Sequence, residues 1–248
     1  EQSVEISDSC AVFCGGQPVF SLSDVAFSVK ARVILNGVAF DILKGSRTVL
    51  FGENGCGKTT LLRLISRLEK PTRGVILQNI SGKFGQKSKQ SKKWYKKVGV
   101  VYQNPDYQLF MPTVEKEIKF GAKSDEYADE IAEKFGVKHL YVRHPQSLSE
   151  GQKRRVSIAA VVATAPEVLI LDEPTVGQDY KGLCEMTEIL NRIHEETKNT
   201  MITVTHDKRC AAALCDRAVW IKDGKVRKTG GKELAEEFFK DPTGNAKN

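Results

Sequence analysis

The chain has 248 residues, 40% of them hydrophobic, 28% charged and 8% aromatic, a balance that excludes a disordered tail. Its length suits one large domain or two small ones with a core that needs no disulfide or metal staples, and no run approaches the ~18 uninterrupted apolar residues of a membrane-spanning helix. With 38 Lys+Arg against 31 Asp+Glu, the net charge of +7 fits a polyanionic or membrane-surface partner and equally fits simple solubility.

Glu1 to Ser9 has neither the apolar segment of a secretory signal nor the Arg-rich amphipathicity of a transit peptide, and a first residue that is not Met suggests a processed or excised chain. Strand-like runs follow at Pro18 to Val29, Val33 to Ile42 and Thr48 to Phe51, then a Gly-rich turn and a helical pattern from Lys58 to Leu68. Strand, Gly-rich loop, helix is the order of an α/β nucleotide-binding unit. Gly74 to Ile80 and Val98 to Tyr102 read as strands on either side of a Lys/Ser/Gln-rich connection. From Val114 to Ala163 the pattern is mainly helical, with an amphipathic segment from Asp125 to Phe135 and a long helix from Glu150 to Ala163 behind Ser149 as N-cap. Strands return at Val168 to Leu171, Met201 to Thr205, Ala218 to Ile221 and Val226 to Thr229, with helices at Leu183 to Thr197 and Lys232 to Lys240. The six cysteines (10, 14, 56, 184, 210 and 215) are scattered and form no paired CxxC blocks, so a reducing compartment is expected and zinc is not.

Gly52-Glu53-Asn54-Gly55-Cys56-Gly57-Lys58-Thr59, followed by Thr60, satisfies G-x-x-x-x-G-K-[ST] in the strand-to-helix context the motif requires. The glycines let backbone N–H groups face phosphate oxygens, the helix N-terminus adds its positive end, Lys58 adds a charge, and Thr59 offers a hydroxyl to Mg²⁺. Downstream, the apolar strand from Val168 ends in Asp172-Glu173, two acids at the phosphate end of a parallel sheet. Asp172 is placed to hold Mg²⁺, and Glu173 to orient and deprotonate an attacking water. Taken alone, such a strand end is commonplace; beside the Gly52 to Thr59 loop it reads as catalytic.

Leu148-Ser149-Glu150-Gly151-Gln152, followed by Lys153-Arg154-Arg155, resembles the signature of the ATP-binding cassette (ABC) ATPases, and the resemblance runs from about Val19 to Gly230. Gln103 matches that family's Q-loop glutamine, Pro174 to Asp179 its D-loop and His206 its switch histidine. Singly, Gln103 reads as a surface glutamine, Ser149 as a helix cap and His206 as a strand-end histidine; their joint order is what makes the resemblance specific. It implies an α/β fold, a P-loop NTPase core with an N-terminal antiparallel β subdomain and an inserted helical subdomain. The core would span about 18–103 and 165–231, the helical part about 104–164, and a C-terminal helix about 232–240. It also implies ATP and Mg²⁺ as ligands and a head-to-tail pair of domains, in which Ser149, Gly151 and Gln152 of one complete the phosphate site of the other and Asp179 lies at the seam. Catalysis is then expected from Glu173, His206, Gln103 and Lys58, and metal binding from Thr59, Gln103 and Asp172.

Tyr102-Gln103-Asn104-Pro105-Asp106-Tyr107-Gln108-Leu109-Phe110, with Pro112-Thr113-Val114 and Phe120-Gly121, is similar to the ATPase subunits of energy-coupling factor (ECF) transporters, importers of vitamins and transition-metal ions. The resemblance implies a membrane subunit docking near Gln108, Leu109, Phe110 and Met111 and a place on the cytoplasmic face of the membrane, or in a plastid if Glu1 marks processing; alternatively, Leu109, Phe110 and Met111 pack the helical insertion. Three positions depart from the family. Val29 stands where an aromatic residue stacks on adenine, a loss of about 1–3 kcal/mol if stacking at nucleic-acid sites is a guide. Glu150 replaces a signature glycine and Gln178 a D-loop leucine; the departures at Val29 and Glu150 point to pairing with a different ATPase domain rather than only with a second copy. Cys56, at a helix N-terminus, is expected to have a depressed thiol pKa if it is a redox site, and otherwise merely fits the loop. Lys83, Lys87, Lys89, Lys92, Lys93, Lys96 and Lys97, interleaved with Trp94 and Tyr95, read as a solvated loop or a lipid-proximal patch. They also carry the rival reading, a soluble ABC-type ATPase acting on nucleic acid or a protein assembly; nucleic acid is not the expected partner.

Overall fold

The computed structural model describes residues 16–80 and 94–240, so the calls on Cys10, Cys14 and Lys83 to Lys93 lie outside the described residues. In chain order the elements are β1 (Pro18–Val29), β2 (Arg32–Leu43), β3 (Arg47–Phe51), α1 (Lys58–Ile65), β4 (Arg73–Gln78), β5 (Val98–Val101), α2 (Val114–Lys119), α3 (Asp125–Lys134), α4 (Glu150–Ala163), β6 (Val168–Asp172), α5 (Tyr180–Thr197), β7 (Thr200–Val204), α6 (Lys208–Leu214), β8 (Arg217–Lys222), β9 (Lys225–Gly230) and α7 (Lys232–Lys240). β1, β2 and β4 form an antiparallel sheet in the order β2-β1-β4. The larger sheet runs β5-β6-β7-β3-β8-β9, parallel except for the last strand.

The strand sequences account for this arrangement. All five residues of β6 are buried, as a central parallel strand covered on both faces requires. Its side chains alternate: Leu169 and Leu171 join a core with α2–α7, whereas Val168 and Ile170 join a second core with β1, β2 and α1. Two hairpins have left-handed residues at both turn positions, Lys30 and Ala31 (φ 44° and 64°) between β1 and β2, and Asp223 and Gly224 (φ 48° and 70°) between β8 and β9. That backbone matches the twist of the strands it joins. A Cβ on Gly224 would lie 2.3 Å from the Ile34 carbonyl oxygen, so glycine is required where this turn meets β2.

Two helix boundaries differ from the sequence expectation. α1 ends at Ile65, three residues before Leu68, because Arg67 turns left-handed (φ 60°) and leaves Leu68 exposed. α5 starts at Tyr180, three residues before Leu183, because the Asp179 carboxylate accepts from the Gly182 N–H at 2.7 Å and caps the helix there. The carboxyl ends of β3, β5, β6 and β7 all open on one edge of the sheet, where a parallel sheet places its ligands.

Candidate functional site

β3 ends at Phe51, the loop from Gly52 through Gly57 follows, and α1 begins at Lys58 with no side-chain cap on its first turn. Those N–H groups are therefore available to an anion. Gly57 sits at φ 104°, and a Cβ there would come within 2.6 Å of Leu35 Cδ2, so the loop lies tight on β2. The largely buried Lys58 ammonium arches back over the loop, donating to the carbonyls of Gly52 at 2.8 Å and Glu53 at 2.9 Å.

β6 and β7 bring the acids and the histidine. Asp172 is buried; its Oδ2 accepts from the Thr59 hydroxyl at 3.1 Å, and its Oδ1 has no partner. Burial holds its carboxyl above the usual carboxylate range, and the neighbouring Glu173 charge adds to this against the Thr59 hydrogen bond and the Lys58 ammonium. An orphaned carboxylate oxygen beside a hydroxyl is a donor set that fits a hard divalent cation. Glu173 is buried and left-handed (φ 52°), a strain of order 1–3 kcal/mol that such sites hold through their surroundings. His206 covers it: Nδ1 lies 2.8 Å from Oε1, and the His206 backbone N–H donates to Oε2 at 3.3 Å.

A cavity of about 1180 Å³ unites these groups. Val29, Glu53, Asn54, Gly55, Cys56, Gly57, Lys58, Thr59, Thr60, Gln103, Asp172, Glu173 and His206 line it, with Gly52 behind the loop. Ser149, Gly151, Gln152 and Asp179 do not. Ser149 and Gln152 close a capping box on α4, and Asp179 caps α5. Glu150 points to solvent, 3.5 Å from Lys153, and Gln178, which the sequence left without a role, donates to the Gly151 carbonyl at 3.1 Å. Lys30, Arg32, Asp223 and Gly224 also line the cavity and were missed. The Asp-Gly pair between two strands was the available signal for the last two.

The structure bears on three readings that the sequence left open. Burial pushes the Cys56 thiol up, more than the Lys58 charge draws it down, so the low-pKa redox reading does not hold. Leu109 is buried in the core, and Gln108 is spent on β5, accepting from the Tyr102 N–H at 2.9 Å and donating to the Val100 carbonyl at 2.7 Å; of the four docking residues, Phe110 is the exposed one, edge-to-face with the equally exposed Phe120 at 5.5 Å. Of the Lys-rich stretch, Trp94 is core, its Nε1–H bonded to Gln78 Oε1 at 2.8 Å, Lys97 pairs with Glu167, and Tyr95 is exposed.

The sequence model of the ABC transporter family matches residues 35–176. The energy-coupling factor transporter ATP-binding protein EcfA2 of Enterococcus faecalis is 41% identical over 205 residues, 76% of this chain and 69% of its own. The solved structure of cbiO1 from Clostridium perfringens, part of the ABC transporter complex cbiONQ, superposes with a TM-score of 0.77 at 31% identity over 89% of this chain and 91% of that one. A dimeric ATP-binding cassette in a post-hydrolysis state with ADP and Pi gives 0.74 at 26% identity over 86% and 98%.

Proposed function

The chain belongs to the ABC transporter family of ATP-hydrolysing subunits, and from that premise we propose that it energises an ECF-type importer of a vitamin or transition-metal ion. The observation that carries this reading is a division of the machinery. Lys58, Thr59, Asp172, Glu173, His206 and Gln103 converge on one cavity, while Ser149 and Gly151 stand at the N-terminus of α4 outside it. A site divided in this way is completed by a second ATPase domain. The departures at Val29 and Glu150 favour a different domain as that partner over a second copy.

Within the site, Lys58 exchanges two carbonyl contacts for stronger charge-assisted bonds to phosphate oxygens. Thr59 and Asp172, with Gln103, would hold Mg²⁺, which when bound neutralises charge on the phosphate oxygens. Glu173 takes the proton of the attacking water once its carboxylate is released from His206, and His206, whose side chain is largely exposed, turns to the γ-phosphate. Ser149 and Gly151 supply the remaining anion contacts to the partner's nucleotide, and Asp179 lies at the seam. The segment 104–164 forms the helical part, and Phe110 with Phe120 receives the membrane subunit, which places the chain peripherally on the cytoplasmic face. Among the described residues no helix is long and apolar enough to cross a membrane, and the bacterial relatives give the plastid alternative no support. Substrate selectivity resides in the membrane partner.

Mild-detergent purification of the chain from its source tests this reading. A multi-spanning membrane protein in the eluate, lost on Phe110→Asp, is the expected result. A soluble assembly or nucleic acid in its place would refute the transporter reading and leave the ATPase.

A further inference from the structure

The β8–β9 hairpin carries a cavity of its own, about 550 Å³ in volume and lined by Trp220, Lys222, Asp223, Lys225, Val226 and Arg227. That volume lies within the range of small-molecule sites. Lys222 and Lys225 are direct partners across the hairpin, on either side of the Asp223–Gly224 turn. Like charges placed directly opposite on paired strands destabilise the pair. These two lysines and Arg227 are exposed, and their side chains have no hydrogen bond or ion pair among the described residues. Lys228, next in the chain, differs in this respect, since it pairs with Glu237 at 2.7 Å. Asp223 is the one acid in the lining, and it pairs with none of the three cations.

Lysines on an edge strand can serve only to keep its free backbone groups from pairing with another chain. β9 is such an edge, and that role covers Lys225 and Arg227. It does not cover Lys222, which lies on β8 between β3 and β9, nor does it call for a ring in the cavity wall. Trp220 supplies that ring. It is half-buried and packed edge-to-face against Phe238 at 5.4 Å, so it offers a fixed apolar surface with little side-chain freedom left to lose.

Cations grouped beside a fixed ring match a ligand that has phosphates at one end and an aromatic ring at the other. We propose that this cavity is a second ligand site, separate from the phosphate-loop cavity, in which Lys222, Lys225 and Arg227 hold the phosphates of a nucleoside phosphate and Trp220 packs on its ring. The Arg227 guanidinium suits a bidentate grip on phosphate, and the two lysines act as point charges. An anion between Lys222 and Lys225 also relieves the repulsion that the empty hairpin carries.

Equilibrium dialysis of ADP against the full chain in Mg²⁺ buffer tests the proposal. At about 1 mM free ADP, wild type is expected to bind two molecules per chain, one in each cavity. A variant carrying Lys222→Gln, Lys225→Gln and Arg227→Gln, all at exposed positions, is expected to bind one, with the hairpin site weakened at least about tenfold. Lys58→Ala is expected to lose the ADP of the phosphate loop and keep the one on the hairpin. In that variant pyrophosphate is expected to compete at least about tenfold less well than ADP, because it has no ring to set on Trp220. One ADP per wild-type chain, two in the triple variant, or none in Lys58→Ala would overturn the site. Pyrophosphate competing as well as ADP would overturn the role of Trp220 and the nucleoside class with it.

Discussion

Replacing Asp172 with Asn is expected to stabilise the cation-free protein while removing its response to Mg²⁺. The Asp172 carboxylate is buried with Oδ1 unpartnered, and burial raises its pKa above the usual carboxylate range. The sign follows from proton linkage. When the folded pKa exceeds the unfolded one, the folded state holds more protons between the two values, so stability falls as pH rises through that window. The penalty is absent below the unfolded pKa and complete above the folded one. An unpaired buried acceptor costs about 1–3 kcal/mol, and more if charged. The neutral amide keeps the size of the group and the Thr59 hydroxyl contact, so relief of about 1–2 kcal/mol is expected, and at about 2–4 °C per kcal/mol for a chain of this length the Tm rises by about 2–8 °C. Thermal melting in EDTA and then with Mg²⁺ and ATP reads both effects. Wild type gains about 2.7 kcal/mol at a ligand concentration of 100 times Kd, and Asp172→Asn gains less than half of that. The two EDTA curves converge as the pH is lowered. A variant that melts below wild type in EDTA, or that keeps the full Mg²⁺-ATP gain, would refute the argument.

Glu173→Gln is expected to abolish turnover and accumulate an ATP-bound dimer on size-exclusion chromatography; unchanged turnover removes Glu173 from catalysis. Gly224→Ala puts a Cβ 2.3 Å from the Ile34 carbonyl in a left-handed turn, and is expected to lower stability by about 1–3 kcal/mol in urea unfolding. A variant as stable as wild type would show that the turn moves freely off β2. With its thiol raised by burial, Cys56 is expected to alkylate at neutral pH at least about tenfold more slowly than the exposed Cys184, read by mass spectrometry. Peroxide should accordingly inhibit wild type and Cys56→Ala equally, and a difference between them would restore the redox reading.

What was legible in the sequence was what is local in the chain. The Gly52 to Thr59 loop needs a strand before it, a helix after it and glycines between, all within a dozen residues. β6 was legible because a strand buried on both faces is written as an unbroken apolar run. The rest depends on surroundings that a linear pattern does not carry. Cys56 sits at a helix N-terminus, which argues for a low pKa, but its desolvation is set by packing against residues from other elements. Leu109 and Phe110 are adjacent and apolar in a segment with no helical or strand period, so nothing in the sequence says which turns inward. Arg32 and Asp223 lie 191 positions apart in number, and only the contact of the β8–β9 turn with β2, through the Asn36 N–H to Gly224 carbonyl bond at 2.8 Å, puts them on one cavity.

The basic triplet after Gln152 is where the sequence was least explicit and the structure most informative. Lys153 and Arg154 are buried on α4, a cost that stands only where charges are paired. Lys153 bonds to Asp106 at 2.8 Å; Arg154 donates to the Tyr102 carbonyl at 2.8 Å and to the Gln103 carbonyl, and desolvation draws its pKa down against the attraction of Asp172 and Glu173. From the other side, the buried carboxylate of Glu117 accepts the Phe110 and Met111 N–H groups at 2.9 and 2.7 Å. The stretch 102–111 is therefore held at both ends, by α4 near the cavity and by α2 near the exposed Phe110. Gln103 cannot shift its backbone toward a ligand without drawing on the Arg154 contacts, and those are anchored in the helix whose first turn carries Ser149 and Gly151. Movement at the cavity is thus tied by buried, charge-assisted hydrogen bonds to the signature helix, and through Leu109 and Glu117 to the surface that Phe110 presents.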